Sequence, residues 1–395
     1  MKMQAAVLWG AGQEWSVEEV DLDPPREGEV VVRYTASGLC HSDDHCRVGD
    51  IPVNSPTVGG HEAAGVVEEV GPGVRNLKVG DHVVAAFIPA CGRCRWCAAG
   101  QSNLCDLGAY IMAGHMPDGS YRRHARGQGV GALCLLGTFA PYGTVMEDSL
   151  VKIDDDIPLD LASLVGCGVT TGWGSAVNSA KVTPGDTVVV IGCGGIGSSA
   201  IQGARLAGAE HIVAVDIVES KRSQAELMGA THFATSFEEA QSIVSDLTRG
   251  VLADSAILTV GVVKGDMIAP MLELVRKGGT GVVTGISPAG DTDVKMSLFT
   301  HAMFQKKLVG SLFGECNPRA DIPRLLRLYR DGQLKLGEMV TTEYALEDVS
   351  LGYRDVMAGK NIRVSPVEWW GFGAGDLAGN GVAARQGGGP SRSGQ

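Results

Sequence analysis

The stretch from Thr187 to Asp216 constrains the fold more than any other. Thr187-Val-Val-Val-Ile191 is a β-branched run, and Gly192-Cys-Gly-Gly-Ile-Gly197 follows it directly. A small-residue segment continues to Leu206, and a second β-branched run, His211-Ile-Val-Ala-Val215, ends at Asp216. Strand, glycine turn, helix, strand and acid in that order describe a βαβ unit that receives a dinucleotide. Gly192 allows the tight turn, Gly194 lets the backbone approach a pyrophosphate, and Gly197 lets helix and strand pack closely. Gly195 and Ile196 open the helix, whose free N–H groups and positive dipole end face the phosphates. Asp216 can accept hydrogen bonds from an adenosine ribose, and its charge disfavours a 2′-phosphate, so NAD is expected over NADP. Chance GxGxxG matches are easy in a chain with 56 glycines, and the alternative is an ordinary strand-to-helix turn. The flanking strands and the acid decide for the dinucleotide.

A chain of 395 residues suggests two domains with ample core. Its net charge of −12 argues against nucleic acid or an anionic membrane surface as a partner. The N-terminus, Met1-Lys-Met-Gln-Ala-Ala, carries no extended apolar region, and no apolar run approaches the roughly 20 residues that span a bilayer. The expectation is a soluble, cytoplasmic protein whose ten cysteines serve metal or redox chemistry rather than disulfides.

Residues 1 to about 160 read as short strands and turns. Val30–Tyr34, Ala63–Val70 and His82–Phe87 are β-branched and partly alternating, bounded by Pro24-Pro25, Gly71-Pro-Gly73 and Gly80-Asp81. This is the pattern of a mainly-β, barrel-like domain. From about Leu161 strands and helices alternate, which is parallel-sheet grammar. Helices are expected at Ser220–Met228, Phe237–Thr248 and Met267–Arg276, and strands at Ser255–Val260 and Gly281–Gly285. Leu308–Phe313 and Asp321–Asp331 read as a strand and a helix returning to the first domain. From Gly371 to Gln395 the composition of Gly, Ala, Ser and Arg predicts disorder.

Cys91, Cys94, Cys97 and Cys105 form C-x2-C-x2-C-x7-C within one loop. Four closely spaced thiolates can converge on one tetrahedral ion and leave no open position, which suits a structural zinc. An iron–sulfur cluster is the rival, because it uses the same thiolates. A second group is dispersed: Cys40 in Gly38-Leu-Cys-His-Ser-Asp43, His61 in Gly59-Gly-His-Glu62 and Cys167 in Gly166-Cys-Gly168. Two thiolates and one imidazole leave a fourth zinc position open, the Cys2His set that general zinc chemistry already associates with alcohol dehydrogenase. Taken singly, a Cys is commonly a small core residue and a His after glycines a turn residue.

Together these motifs, in this order, resemble the zinc-containing medium-chain alcohol dehydrogenases over residues 2 to about 363. The resemblance implies a GroES-like zinc domain over 1–168, a Rossmann doubly wound parallel-sheet domain over 169–311 and a return to the first domain over 312–363; residues 364–395 depart from it and read as an atypical, disordered tail. It implies two zinc ions per chain, a catalytic one on Cys40, His61 and Cys167 and a structural one on the four-cysteine loop. It implies oxidation of primary alcohols to aldehydes, with hydride passing to NAD from a zinc-bound alkoxide. Ser42 and His45 would relay the proton to solvent by way of the nicotinamide ribose; their bland alternatives are a turn hydroxyl and a solvated histidine. Glu62 would lie behind the zinc or pair with an arginine, and Asp43 would orient His61. His41 and Arg363 would meet the pyrophosphate, Lys221 the adenosine ribose, Thr171 the nicotinamide, and Ile286 the cofactor. A histidine at position 41, where many relatives carry arginine, gives a weaker, pH-dependent phosphate contact. Homodimers and homotetramers are both expected by resemblance.

Two features depart from the general pattern. Tyr121–Leu136 is long and basic near the expected substrate channel, and its Arg122, Arg123 and Arg126 read as a solvated loop or an acidic-partner site. Gly127-Gln-Gly-Val-Gly131 and Thr138-Phe-Ala-Pro-Tyr142 are similar to relatives described as nicotinoproteins, which keep NAD bound and pass electrons to a separate acceptor such as nitrosodimethylaniline. At the other end, Pro366 fits a central strand poorly, which puts the last strand of the first domain in doubt. The rival enzyme class is a glutathione-dependent formaldehyde (S-hydroxymethylglutathione) dehydrogenase, suggested by Met116-Pro-Asp-Gly119. The rival outside catalysis is an NAD(H)-binding redox sensor or zinc store.

Overall fold

The computed structural model describes residues 1–359 and, for the backbone alone, the strand Arg363–Glu368. Of the disordered tail expected over 364–395, residues 364–368 belong instead to that strand, and the rest lies outside the described residues. The first part of the chain builds two antiparallel-rich layers. One is a closed barrel of Lys2–Leu8, Ser16–Leu22, Arg123–Ala125, Gln128–Ala132 and Thr57–Val58. The other is a five-stranded sheet in the order Leu150–Lys152, His82–Ala85, Ala63–Val70, Glu29–Ser37, Tyr142–Met146. Glu29–Ser37 is the pivot, antiparallel to Ala63–Val70 on one side and to Tyr142–Met146 on the other.

The second part is a six-stranded parallel sheet. Its order is His232–Ala234, His211–Val215, Thr187–Ile191, Ala253–Leu258, Val275–Val283, Lys307–Gly310. Every residue of Thr187–Ile191 is buried, as a central strand with both faces covered requires, which is why the run is apolar throughout rather than alternating. The chain leaves this strand and builds in opposite directions, so the crevice opens at its carboxyl end, the topological switch point where α/β sheets receive ligands.

Several expectations are corrected here. Leu308–Phe313 is not the start of a return to the first unit: Lys307–Gly310 pairs parallel with Val275–Val283 as the edge of the nucleotide sheet. The helix expected to reach Arg276 ends at Glu273, and Val275 already opens the next strand. The basic segment Tyr121–Leu136 is not a solvated loop but two barrel strands closed by the Ala125–Gln128 hairpin. Arg122 is buried and donates two hydrogen bonds to Glu29 at 2.7 and 2.6 Å. Arg123 is buried with only the carbonyls of Leu136 and Gly137 as acceptors, at 2.8 and 3.2 Å. Arg126 pairs with Glu18 and lies 4.0 Å over the Trp9 ring.

The C-terminal part does return. The helix Pro318–Arg330 and the helix Val349–Met357 pack on the first unit, the latter across the helix His41–Val48. Val340–Ala345 pairs parallel with Arg363–Glu368. Pro366 is tolerated because the ladder breaks register between the Glu343–Ser365 and Ala345–Glu368 pairs, so no ladder N–H is asked of it.

Candidate active site

The four-cysteine loop converges. The sulfurs of Cys91, Cys94, Cys97 and Cys105 all lie within 4.8 Å of one another. The Cys91–Cys97 and Cys94–Cys105 sulfurs are each 4.0 Å apart, far too long for disulfides. A tetrahedron with zinc–sulfur bonds of about 2.3 Å has edges of about 3.8 Å, so the set fits such an ion. The loop prepares anions for it. Backbone N–H groups of Cys97 and Asp106 pull the Cys94 thiol down to about 6. Burial instead pushes Cys105 up to about 12, a state that a bound cation would reverse.

Cys40, His61 and Cys167 also converge, each buried, with one ligand atom apiece within 4.8 Å of the others. Three elements bring them together. Cys40 sits at the N-terminus of the helix His41–Val48. Cys167 is the break between the turn Leu164–Gly166 and the helix Gly168–Gly174, with φ −143° and ψ −82°. His61 hangs from the Gly59-Gly60 turn. Gly60 has φ +83°, and a Cβ there would stand 2.4 Å from Thr138 Oγ1 and 2.6 Å from the Phe139 ring. No other residue fits this position, so His61 is held where the turn puts it.

Asp43 fixes which ring nitrogen faces the cluster. Its Oδ1 lies 3.1 Å from His61 Nδ1 and accepts the Gly60 N–H at 2.9 Å, leaving Nε2 for the two sulfurs. Hydrogen bonding to Cys40, burial and the Cys40 charge drive the Cys167 thiol well above its ordinary value. Burial works against a charged His61, yet Asp43, Cys40 and Cys167 more than offset it and raise that histidine well above the usual range. A dication is the species that such a cage of donors accommodates. Glu62 is fully buried beside Gly38, one residue from His61. Ser42 Oγ lies 3.5 Å from Cys40 Sγ.

His45 is not a solvated histidine. It is buried, with Nδ1 2.8 Å from Asp50 Oδ2 and Nε2 2.8 Å from the Gly261 carbonyl oxygen. Asp50 and Gly261 escaped sequence reasoning. The available signal for Asp50 was its place just past Gly49, whose N–H closes the helix on His45 O. His41 packs its ring against Gly261, where a Cβ would meet Cε1 at 2.6 Å, and its Nε2 is buried without a partner. Burial, then the nearby His45, lower the His41 pKa.

At the glycine turn, Gly192 has φ +95°, and a Cβ on Gly197 would stand 1.7 Å from Gly192 O. Among the described residues nothing lies within 4 Å of a Cβ on Gly194, so that side faces open space. Gly195 and Ile196 open the helix Gly195–Leu206. Asp216 accepts the Cys193 N–H at 2.8 Å, the Val218 N–H at 3.0 Å and Lys221 Nζ at 2.9 Å, which brings Asp216 and Lys221 together at the end of the second strand. Thr171 caps back onto Cys167 O at 2.8 Å, and Ile286 bridges to Val262 beside Gly261. Arg363 lies in the last described strand, whose side chains are outside the described part.

Residues 26–155 match the alcohol dehydrogenase GroES-like domain, and residues 195–331 match the zinc-binding dehydrogenase domain. An NDMA-dependent alcohol dehydrogenase from Amycolatopsis methanolica is 52% identical over 363 residues, covering 92% of this chain and 98% of that one. An S-(hydroxymethyl)glutathione dehydrogenase from Komagataella pastoris is 38% identical over 373 residues, covering 92% and 97%. The crystal structure of benzyl alcohol dehydrogenase from Acinetobacter calcoaceticus superposes with a TM-score of 0.86 at 30% identity, covering 92% and 99%. The chain belongs to the zinc-containing medium-chain alcohol dehydrogenases, an oxidoreductase with a GroES-like unit and a Rossmann unit. Within that family its similarity lies with the nicotinoprotein branch. Membership sets aside the non-enzymatic sensor. Among the described residues no helix is long and apolar enough to cross a membrane.

Proposed function

We propose that the protein oxidises primary alcohols to aldehydes with a zinc ion on Cys40, His61 and Cys167, a second zinc on Cys91, Cys94, Cys97 and Cys105, and an NAD that stays bound through turnover. The observation that carries it is the convergence of Cys40, His61 and Cys167, in a chain half identical to an NDMA-dependent enzyme. A zinc ion in such a three-donor cage acts as a Lewis acid and acidifies a bound hydroxyl. The protein's own groups do the rest. Asp43 keeps the His61 Nδ1–H engaged, so the ring presents Nε2 alone. Ser42, beside Cys40, takes the alcohol proton at Oγ. His45, with Asp50 on its outer nitrogen, forms the outer protein end of the proton path. Gly194 leaves the backbone N–H groups open to a pyrophosphate, with His41 and Arg363 as its side-chain partners. Asp216 and Lys221 receive the adenosine ribose, which favours NAD over NADP. Thr171 and Ile286 line the nicotinamide end, and Glu62 tunes the metal from behind.

The glutathione-linked reaction is the second reading, supported by the 38% identical relative. Against it, the basic groups at Met116–Gly119 are already engaged: Arg122 with Glu29 and Asp118, and Arg26 with Asp118. A homodimer or homotetramer remains part of the proposal, supported by the exposed Leu298, Phe299 and Met303 beside the unpaired edge of Lys307–Gly310. Its ten free cysteines suit the reducing cytoplasm.

The test is one extensively dialysed sample assayed for zinc and for extractable nucleotide, then for alcohol oxidation with added NAD or with nitrosodimethylaniline. Two zinc ions and one retained nucleotide, with turnover on the dye, support the proposal. Two zinc ions, no nucleotide and full activity on added NAD overturn the bound-NAD part. Turnover restricted to S-hydroxymethylglutathione overturns the substrate.

A further inference from the structure

Asp43 holds the ring of His61, and one of its oxygens is unaccounted for. Oδ1 serves both His61 Nδ1 and the Gly60 N–H, while Oδ2 is buried with no hydrogen-bond partner. A fully buried carboxylate with one bare oxygen is costly. A second orphan belongs to the same place. The Tyr353 hydroxyl is buried and likewise without a hydrogen-bond partner.

Packing aims it. Tyr353 lies on the inner face of the helix Val349–Met357, which crosses the helix carrying Asp43. Gly352 permits the approach, since a Cβ there would stand 2.5 Å from Leu39 Cδ1, one residue before Cys40. The Tyr353 ring stacks on Trp15 at 6.2 Å and tilts against Phe139 at 6.2 Å. Those two rings also press on the histidine turn, standing 2.5 and 2.8 Å from the place of a Cβ on Gly59. One aromatic group therefore supports both the turn that bears His61 and the phenol. Burial raises the Tyr353 pKa well above its ordinary value, and the charge of Asp43, then of Cys40, reinforces this, so the phenol keeps its proton and can donate. Both unpartnered oxygens belong to buried side chains on the two crossing helices His41–Val48 and Val349–Met357.

We propose that Tyr353 is a positioning residue for the metal histidine: its O–H donates to Asp43 Oδ2 and locks the carboxylate, so that Oδ1 stays turned to Gly60 and His61. The proposal rests on the zinc role proposed above for Cys40, His61 and Cys167. Tyr353→Phe keeps the ring and its packing and removes only the donor. The experiment follows zinc release to a chelator from the full-length protein and records the visible spectrum after cobalt replaces zinc. Expected are two zinc ions in both wild type and Y353F, and release of the catalytic ion about tenfold faster in Y353F, the low end for an outer partner of a metal histidine. Release of the structural ion should be unchanged, and the cobalt d–d band should shift. D43N should release the ion faster still, and adding Y353F to it should change nothing more, because the hydroxyl acts through that carboxylate. Catalytic-ion release within twofold of wild type with an unshifted cobalt spectrum overturns the proposal, as do fully additive effects in the double variant. A wild type holding one zinc or none defeats the metal assignment itself, and the proposal with it.

Discussion

Gly60→Ala tests whether the histidine turn is as tightly determined as its geometry states. Two costs add. An alanine held at φ +83° pays the left-handed penalty of about 1–2 kcal/mol. Its Cβ would also stand 2.4 Å from Thr138 Oγ1 and 2.8 Å from the Phe139 nitrogen, and relieving such overpacking costs about 1–3 kcal/mol. The sum, about 2–5 kcal/mol, corresponds to a melting temperature lower by roughly 5–20 °C for a unit of this size. The turn relaxes by moving the Gly60 N–H off Asp43 and His61 off its sulfurs, and about 1 Å of misplacement costs on the order of a hundredfold in rate. Gly12→Ala is the control: φ is +81°, but nothing lies within 4 Å of its Cβ, so only the first cost applies. Calorimetry, zinc content and turnover on both variants decide the matter. A G60A protein as stable as G12A, with both zinc ions and full activity, would refute the reasoning.

Cys40→Ser should leave one zinc per chain on the four-cysteine loop and abolish alcohol oxidation; retained turnover defeats the assignment of Cys40, His61 and Cys167. Gly194→Ala should fold like wild type, since no protein atom meets its Cβ, yet lose extractable nucleotide, whereas Gly197→Ala, 1.7 Å from Gly192 O, should lose both nucleotide and stability; equal melting losses in the two contradict this. In metal-free protein Cys94 should be the first of its loop to alkylate, because its depressed pKa keeps it thiolate at neutral pH and the reactivity fades only as pH falls through about 6. Peptide mapping that finds Cys105 alkylated ahead of Cys94 runs against it.

What the chain disclosed in advance follows the range of the interactions. The Gly192–Gly197 turn and the four-cysteine loop are local, so spacing alone exposed them. Cys40, His61 and Cys167 are dispersed along the chain, and only family resemblance joined them before the fold did. Pairings that depend on tertiary approach stayed hidden. Arg122 and Glu29 are 93 positions apart, so a buried ion pair looked like a basic loop. Nothing in a Tyr353 at helical spacing distinguishes a core phenol from one aimed at a carboxylate. Lys307–Gly310 was misplaced because a short apolar strand carries no mark of the sheet it will join.

The position of His45 has a mechanical side. Its ring spans the two units, tied to Asp50 in the helical corner of the barrel unit and to Gly261 O at the rim of the parallel sheet. The Ala289 N–H reaches Asp50 O at 2.8 Å and fastens the same corner from the sheet side. Hinge opening that parts these edges breaks two hydrogen bonds, each worth about 0.5–1.5 kcal/mol net. The same motion disconnects the histidine from the far wall. If the proton route proposed above runs through His45, opening for cofactor exchange would interrupt it, and the bound NAD proposed above would remove the need to alternate between the two.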